Sequence, residues 1–293
     1  MSQCALLFIN PHSRNGRDRK QSAIDYLAAE GIEVVDASDL APSSLPEIIR
    51  TNGGDVDRVI VGGGDGTVNR LLEVLLEINL PVGILPLGTA NDLAATLHIP
   101  ASLEDACRVA ASGTVRRIDL GWVNGKHFVN EGSLGLSNHI VRNLDPTLKK
   151  RFGILAIAAN AARVVRRARR FRAQLRCDDK TYDVRTLQVT VGNGERFGGF
   201  IKTCDADISD HRLDLYSLEV SGIGEFVKLI PALVRGRYED ISGVRLEHGS
   251  EIEVQTSRPR PIYTDGELAT ATPALFRLVP SALAVFTRSR PAA

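Results

Sequence analysis

Cysteine is scarce, and where it occurs it is scattered: Cys4, Cys107, Cys177 and Cys204 lie far apart and no C-x-x-C pair exists. That spacing argues against a disulfide framework and a cysteine zinc site, and it fits a reducing cytoplasm. Long apolar runs are missing as well. The longest fall well short of the roughly 18 residues a membrane span needs. Residues 1–10 have no cationic head leading into an apolar stretch and cleavage site, so no signal peptide is expected. A cytoplasmic location follows as the expectation, with any membrane contact peripheral. Excess charge of one sign is absent: 36 Lys and Arg face 35 Asp and Glu, a net of +1. Nothing in that balance argues for nucleic acid as a partner. Carboxylates are nevertheless missing from Pro146 to Cys177, a stretch in which ten Lys and Arg fall between Lys149 and Arg176.

What is present describes packed domains. The chain has 293 residues, 43% hydrophobic and 24% charged, enough for one large domain or two ordinary ones. Its first part alternates short apolar runs with helical spacing: "ALLFIN", a helix from Asp18 to Glu30, "IEVVDA", "SLPEIIRT", "DRVIVG", then a helix burying Val68, Leu71, Leu72, Leu75 and Leu76, and finally "LPVGILPLG". Short buried strands alternating with helices predict a parallel sheet, and in such sheets ligands bind at the carboxyl ends of the strands. After about Ile118 the texture changes to "FRAQLRC", "YDVRTLQVTVGNG", "RLDLYSLEV", "SEIEVQT", "PIYTDGE" and "ALAVFTRS", many short strands separated by Gly, Asn and Asp. The fold class is therefore α/β plus all-β. Residues 1–118 are an α/β nucleotide-binding domain, and residues 119–293 an antiparallel β-sandwich whose last residues can return to the first domain.

The centre of "VIVGGGDGTVNRLL" holds four glycines within five residues, Gly62, Gly63, Gly64 and Gly66, interrupted by Asp65. A strand running into glycines and then a helix suits a phosphate, because backbone N–H groups point at the anion. Two lookalikes fail. The dinucleotide fingerprint needs glycine where Thr67 stands, and a Walker loop needs lysine where Gly66 stands. An acid in such a loop opposes phosphate unless a cation such as Mg²⁺ lies between them. The loop then reads as a site for a metal-bound nucleoside triphosphate, with Thr67 and Asn69 offering hydrogen bonds. The same carboxylate can instead steer a substrate hydroxyl. "LPLGTANDLAATL" repeats the logic: Thr89, Asn91 and Asp92 open a helix, either as plain caps or as ligand contacts. Near the end, Asp265 and Glu267 of "TDGE" are, on spacing alone, a solvated turn or a candidate acid–base pair.

Taken together, "INPHSRNG", "GGGDGTVNRLL", "LPLGTANDLA", "DLGWVN", "FVNEGSLG", "VGNGERFGGFIKTCDADISDHRLDL" and "YTDGE" resemble the diacylglycerol kinase catalytic family, in its soluble bacterial lipid kinase branch. The likeness runs in order through nearly the whole chain. It implies ATP-dependent transfer of the γ-phosphoryl group to a lipid hydroxyl, with Mg²⁺, on diacylglycerol, phosphatidylglycerol or a sphingoid base. It implies nucleotide contacts from Asn10 and Ser13, from Gly63, Gly64, Asp65, Gly66, Thr67, Val68 and Asn69, and from Thr89 and Asn91. Ser38 takes the place of a family threonine that contacts ATP. Glu267 becomes the general base and Asp265 its metal-linked or orienting partner. A structural Mg²⁺ is implied at Asp207, Asp210 and the carbonyl of Arg212, although His211 stands where the family has glycine. Arg14 likewise departs from the family's Ser-Gly.

The basic stretch from Arg151 to Phe171 reads as an amphipathic helix with Arg163, Arg166, Arg167 and Arg170 on its polar side. Such a face docks on an anionic membrane, is simply solvated with its apolar stripe packed on the second domain, or, third, binds nucleic acid. The rival functions are an NAD kinase, which shares the Gly-Gly-Asp-Gly loop, and a non-catalytic lipid- or nucleotide-binding module on the same fold. "LPLGTAND" favours the lipid kinase. A homodimer is left open.

Overall fold

The computed structural model describes residues 3–13, 16–51, 56–136, 169–193, 196–197, 201–202, 208–221, 224–225 and 243–288. The chain divides into two compact units, one of residues 1–120 with 280–293 and one of residues 121–279.

The first unit opens with β1 (Gln3–Ile9), α1 (Gly16–Ala29), β2 (Ile32–Asp36), α2 (Leu45–Thr51) and β3 (Val56–Gly63). It continues with α3 (Asp65–Ile78), β4 (Val82–Pro86), α4 (Asp92–Thr96), α5 (Leu103–Ser112) and the start of β5 (Thr114–Val123). The strands lie in the order β2-β1-β3-β4, all parallel. β1 and β3 bury nearly every side chain, as expected for strands covered on both faces. α3 explains its own placement: Val68, Leu71, Leu72 and Leu75 fall at helical spacing and are all at most 2% exposed. Each such burial is worth about 1.5–3 kcal/mol. The helix stops at Asn79, whose backbone turns left-handed (φ 54°) so that its N–H reaches the Leu75 carbonyl. From β1 the chain steps outward to β2, then crosses back to β3. The direction of winding therefore reverses between β1 and β3, and that gap is where open parallel sheets bind ligands.

The second unit is antiparallel. It contains β6 (Lys126–Phe128), β7 (Glu131–Gly135), β8 (Phe171–Cys177), β9 (Lys180–Thr186), β10 (Gln188–Gly192), β11 (Arg196–Phe197) and β12 (Ile201–Lys202). β13 (Leu213–Leu218), β14 (Val244–Gly249), β15 (Glu251–Thr256), β16 (Pro261–Thr264), β17 (Glu267–Ala271) and β18 (Ala274–Thr287) complete it. One sheet runs β14-β13-β10-β7-β16-β17; another places β8 between β15 and β9, with the first part of β18 on β15. Val189, Val191, Leu213 and Leu215 of the first sheet pack in one buried cluster with Leu175, Ile252, Val254 and Phe276 of the second. Phe128 meets Phe276 edge-on at 6.1 Å, a preferred aromatic geometry. The run "YDVRTLQVTV" reads as one strand, but it is two. Thr186 breaks it by donating to the Leu218 carbonyl and accepting the Gln188 N–H, and β9 and β10 join different sheets. β18 ends in the first unit, where Val285 lies beside Val82 of β4. No helix among the described residues is long and apolar enough to cross a membrane. The predicted basic helix, with Arg163, Arg166 and Arg167, lies outside the described residues. Arg170 is described and exposed, directly before β8.

Candidate active site

In the first unit the predicted nucleotide residues converge at the carboxyl ends of β1, β3 and β4. Asn10 organises the first loop. Its N–H donates to the Gly62 carbonyl, its Oδ1 accepts the His12 N–H at 3.0 Å, and its Nδ2 donates to Thr67 Oγ1 at 3.0 Å. Ser13 turns its hydroxyl back onto the Asn10 carbonyl at 2.8 Å. Thr67 is buried and Val68 is a core residue, so Val68 has only its backbone to offer a ligand. Asn69 is half-buried, one turn into α3. The N-terminus of α3 carries no side-chain cap: Gly64 precedes it in extended conformation. The two glycine loops touch through backbone, since a Cβ on Gly88 would come within 2.4 Å of the Gly64 Cα.

Asp65 does something its position in the sequence did not announce. Its two oxygens accept the N–H groups of Asp92 (3.0 Å) and Leu93 (2.9 Å), the first residues of α4. Asn91, left-handed at φ 56°, accepts the Gly88 N–H with its side chain and does not cap α4. The carboxylate from the first loop is therefore the anion at the N-terminus of the helix that follows the second loop, where the helix dipole favours it. Thr89 is exposed on that second loop.

Beside these loops, past the ends of β1 and β2 and against the first turns of α3, lies a cleft of about 310 Å³. Asn10, His12, Ser38, Thr67 and Arg70 are among its lining residues, with Leu40 exposed at its edge. Ser38 is buried; its hydroxyl accepts the Ile9 N–H and donates to Asp36. Burial disfavours the Asp36 carboxylate, but the Lys20 ammonium at 2.6 Å and the Ser38 hydroxyl and N–H outweigh it. The carboxyl is held below its ordinary value. His12, Asp39 and Arg70 belong to this cleft and escaped sequence reasoning: His12 and Arg70 stand inside quoted motifs but were given no role, and Asp39 lies outside them.

In the second unit Asp265 and Gly266, both with positive φ (47° and 88°), form the two-residue turn of the hairpin β16–β17. Thr264 and Glu267 face each other across it. Asp265 accepts three backbone N–H groups, from Val129, Asn130 and Glu131, at 2.8–3.0 Å, and its own N–H donates to the Glu131 carbonyl. Asp265 thus ties the hairpin to the 129–131 loop. Glu267 is exposed at the first position of β17, its place fixed by that tie.

The loop predicted to hold a structural cation is filled differently. Asp207 lies outside the described residues. Asp210 accepts the Arg212 N–H with one oxygen (3.2 Å) and faces Arg212 Nε with the other (3.0 Å). Asp214 is buried, which raises its carboxyl pKa against the opposing pull of His248 Nδ1 at 2.6 Å. His211 adopts the left-handed conformation, φ 60°, that the family assigns to glycine. Arg212 thus contributes a guanidinium to this cluster beside Asp210, and the His248 ring nitrogen contacts Asp214. The described donors do not fit a bound Mg²⁺, and no chemistry is routed through one here. Among the described residues no group of three or more His, Cys, Asp or Glu side chains is placed to hold a metal.

Comparison with known proteins follows the same division. A family model described as the diacylglycerol kinase catalytic domain matches residues 4–123, and one described as the YegS C-terminal NAD kinase beta sandwich-like domain matches residues 133–287. Two similar proteins, each named a putative lipid kinase, come from Staphylococcus aureus strains MSSA476 and JH9. Each is 29% identical over 237 residues, covering 80% of this chain and 78% of the relative. A crystal structure titled as a putative diacylglycerol kinase from Bacillus anthracis strain Sterne is 26% identical, with a TM-score of 0.79 over 98% of this chain and 96% of that one. A second structure from the same strain, similarly titled, is 25% identical with a TM-score of 0.78.

Proposed function

The chain belongs to the diacylglycerol kinase catalytic family, with the NAD-kinase-like β-sandwich domain following the catalytic one, and from that premise we propose that it is an ATP-dependent lipid kinase. The observation that carries the proposal is the pair of glycine loops at the ends of β3 and β4, held together by Asp65 beside the cleft. Phosphoryl transfer asks a protein chiefly to position the phosphates and stabilise their charge. The uncapped start of α3, the backbone of Gly63–Gly66, Thr89 and Asn91 are placed to take the phosphates. Asn10, Ser38 and Thr67 line the cleft for the rest of the nucleotide. Asp65 keeps the two loops in register, so both present their N–H groups at once. Mg²⁺ carried in with the nucleotide supplies neutralising charge. Glu267 accepts the proton of the attacking lipid hydroxyl, and Asp265 holds the hairpin that presents it. Diacylglycerol, phosphatidylglycerol and a sphingoid base all satisfy this scheme.

The test is a phosphorylation assay with radiolabelled ATP and Mg²⁺, offering those three lipids and NAD, with Glu267→Gln as the control. Label in one lipid, lost in the control, supports the kinase and names its substrate. Label in NAD transfers the chain to the rival nucleotide kinases, and label in none leaves a binding module.

A further inference from the structure

β8 alternates strictly, with Phe171, Ala173, Leu175 and Cys177 buried and Arg172, Gln174 and Arg176 exposed. On β9, Val184 and Thr186 point inward while Asp183 and Arg185 are exposed. The register sets Arg172 directly opposite Arg185. Like charges facing each other across adjacent strands destabilise a sheet, and here nothing intervenes. Arg176, four residues on from Arg172, is answered by Glu251 and Glu253 at 3.4 and 2.9 Å. Among the described residues Arg172 and Arg185 form no ion pair, and neither do the nearby exposed Arg169, Arg170 and Arg258. The acid of this end of the face, Asp183, is hydrogen-bonded to Gln174. Arg172, Gln174, Asp183, Arg185 and Gln255 line an open groove of about 580 Å³.

We propose that this arginine end of the β8–β9 face is an electrostatic docking surface for an anionic phospholipid bilayer. It rests on the lipid-kinase reading for the reason the protein would visit a bilayer, and on the residues for the place. Five arginines without an ion pair among the described residues, set against the one carboxylate of Asp183, concentrate positive charge near this end of the face in a chain whose net charge is only +1. Sheet surfaces that hold single-stranded nucleic acid expose aromatic platforms. This face has none: Phe171 is buried, with Arg260 lying 4.0 Å above its ring, and the Tyr182 hydroxyl is bonded to Glu247. Fixed positive charge without a stacking platform suits a plane of diffuse headgroup phosphates.

The experiment sediments the full chain with vesicles of phosphatidylcholine alone and of phosphatidylcholine mixed with phosphatidylglycerol, comparing wild type with the triple variant Arg172→Gln, Arg185→Gln, Arg258→Gln. A basic residue at an anionic surface is worth about fivefold in partitioning, so three neutralisations lower binding to the mixed vesicles about a hundredfold. Circular dichroism and thermal melts confirm that the variant is folded. Equal binding by wild type and variant overturns the proposal, as does equal binding to both vesicle types. Tighter binding to an oligonucleotide than to vesicles, or a dimer abolished by the same substitutions, also overturns it. Phosphorylation of detergent-dispersed lipid is measured in parallel. Activity retained in the variant with vesicle binding lost separates docking from catalysis. Vesicle binding without activity in either protein rejects the kinase reading while leaving the surface.

Discussion

Leu93 and Asp65 stand at the starts of different helices, yet the Leu93 N–H donates to Asp65 Oδ1 at 2.9 Å, and the neighbouring Asp92 N–H donates to Oδ2. An acid inside a phosphate-suited glycine loop is a contradiction only while the loop is viewed alone. Asp65→Ala should therefore lose stability, about 1–3 kcal/mol for two helix-terminal donors left without their charged acceptor, read from urea denaturation midpoints. Nucleotide affinity, followed with a fluorescent ADP analogue, should weaken with it. Unchanged stability with lost nucleotide binding would instead make Asp65 a ligand contact and nothing more.

Glu267→Gln tests the proposed base. Glu267 is exposed, so the melting temperature should stay put. The phosphoryl-transfer rate should fall by about 10²- to 10⁴-fold, the usual worth of a positioned base. The KM for ATP should change little. A variant with full activity removes Glu267 from the chemistry.

Acid should loosen the cleft through Asp36. Its pKa is held below the unfolded value, so its contribution is present above the ordinary carboxylate value of about 3.9 and is lost as pH falls through the lowered one. Between about pH 5 and pH 2, the urea midpoint of wild type should drop more steeply than that of Asp36→Asn. Parallel curves would mean that the Lys20 and Ser38 contacts contribute nothing measurable.

Chelation should be silent at the Asp210 loop. With Arg212 on Asp210 and His248 on Asp214, EDTA-treated protein should melt at the temperature of untreated protein, and Mg²⁺ should add no stability. A fall in melting temperature on chelation, restored by Mg²⁺, would return a cation to this loop. Arg212→Ala should destabilise the protein whichever result is found, since it exposes paired carboxylates to one another.

The elements that the sequence makes plain are those whose pattern is local. α3 carries its apolar positions at helical spacing, β8 alternates without a fault, and the Asp265–Gly266 pair announces a tight hairpin. Roles that depend on distant partners were not legible. Nothing near Asp65 signals that it caps a helix 27 residues on, and nothing near Asp265 signals three donors from residues 129–131. The break at Thr186 was hidden because strand-forming residues run straight through it in the sequence, although burial stops alternating there, Thr186 and Leu187 both being buried. Arg212 was read for its carbonyl; that its guanidinium also lies 3.0 Å from Asp210 is something spacing alone does not show.

The return of β18 has a consequence for biosynthesis. β4 receives Val285 as its neighbour only after residues 121–279 have been made. At bacterial or eukaryotic elongation speeds that interval is on the order of ten seconds or more. Throughout it the growing chain carries a parallel strand with one hydrogen-bonding edge awaiting its partner, whereas the intervening β unit lacks none of its own residues once residue 279 is made. The first unit, begun first on the ribosome, is thus the last to be finished.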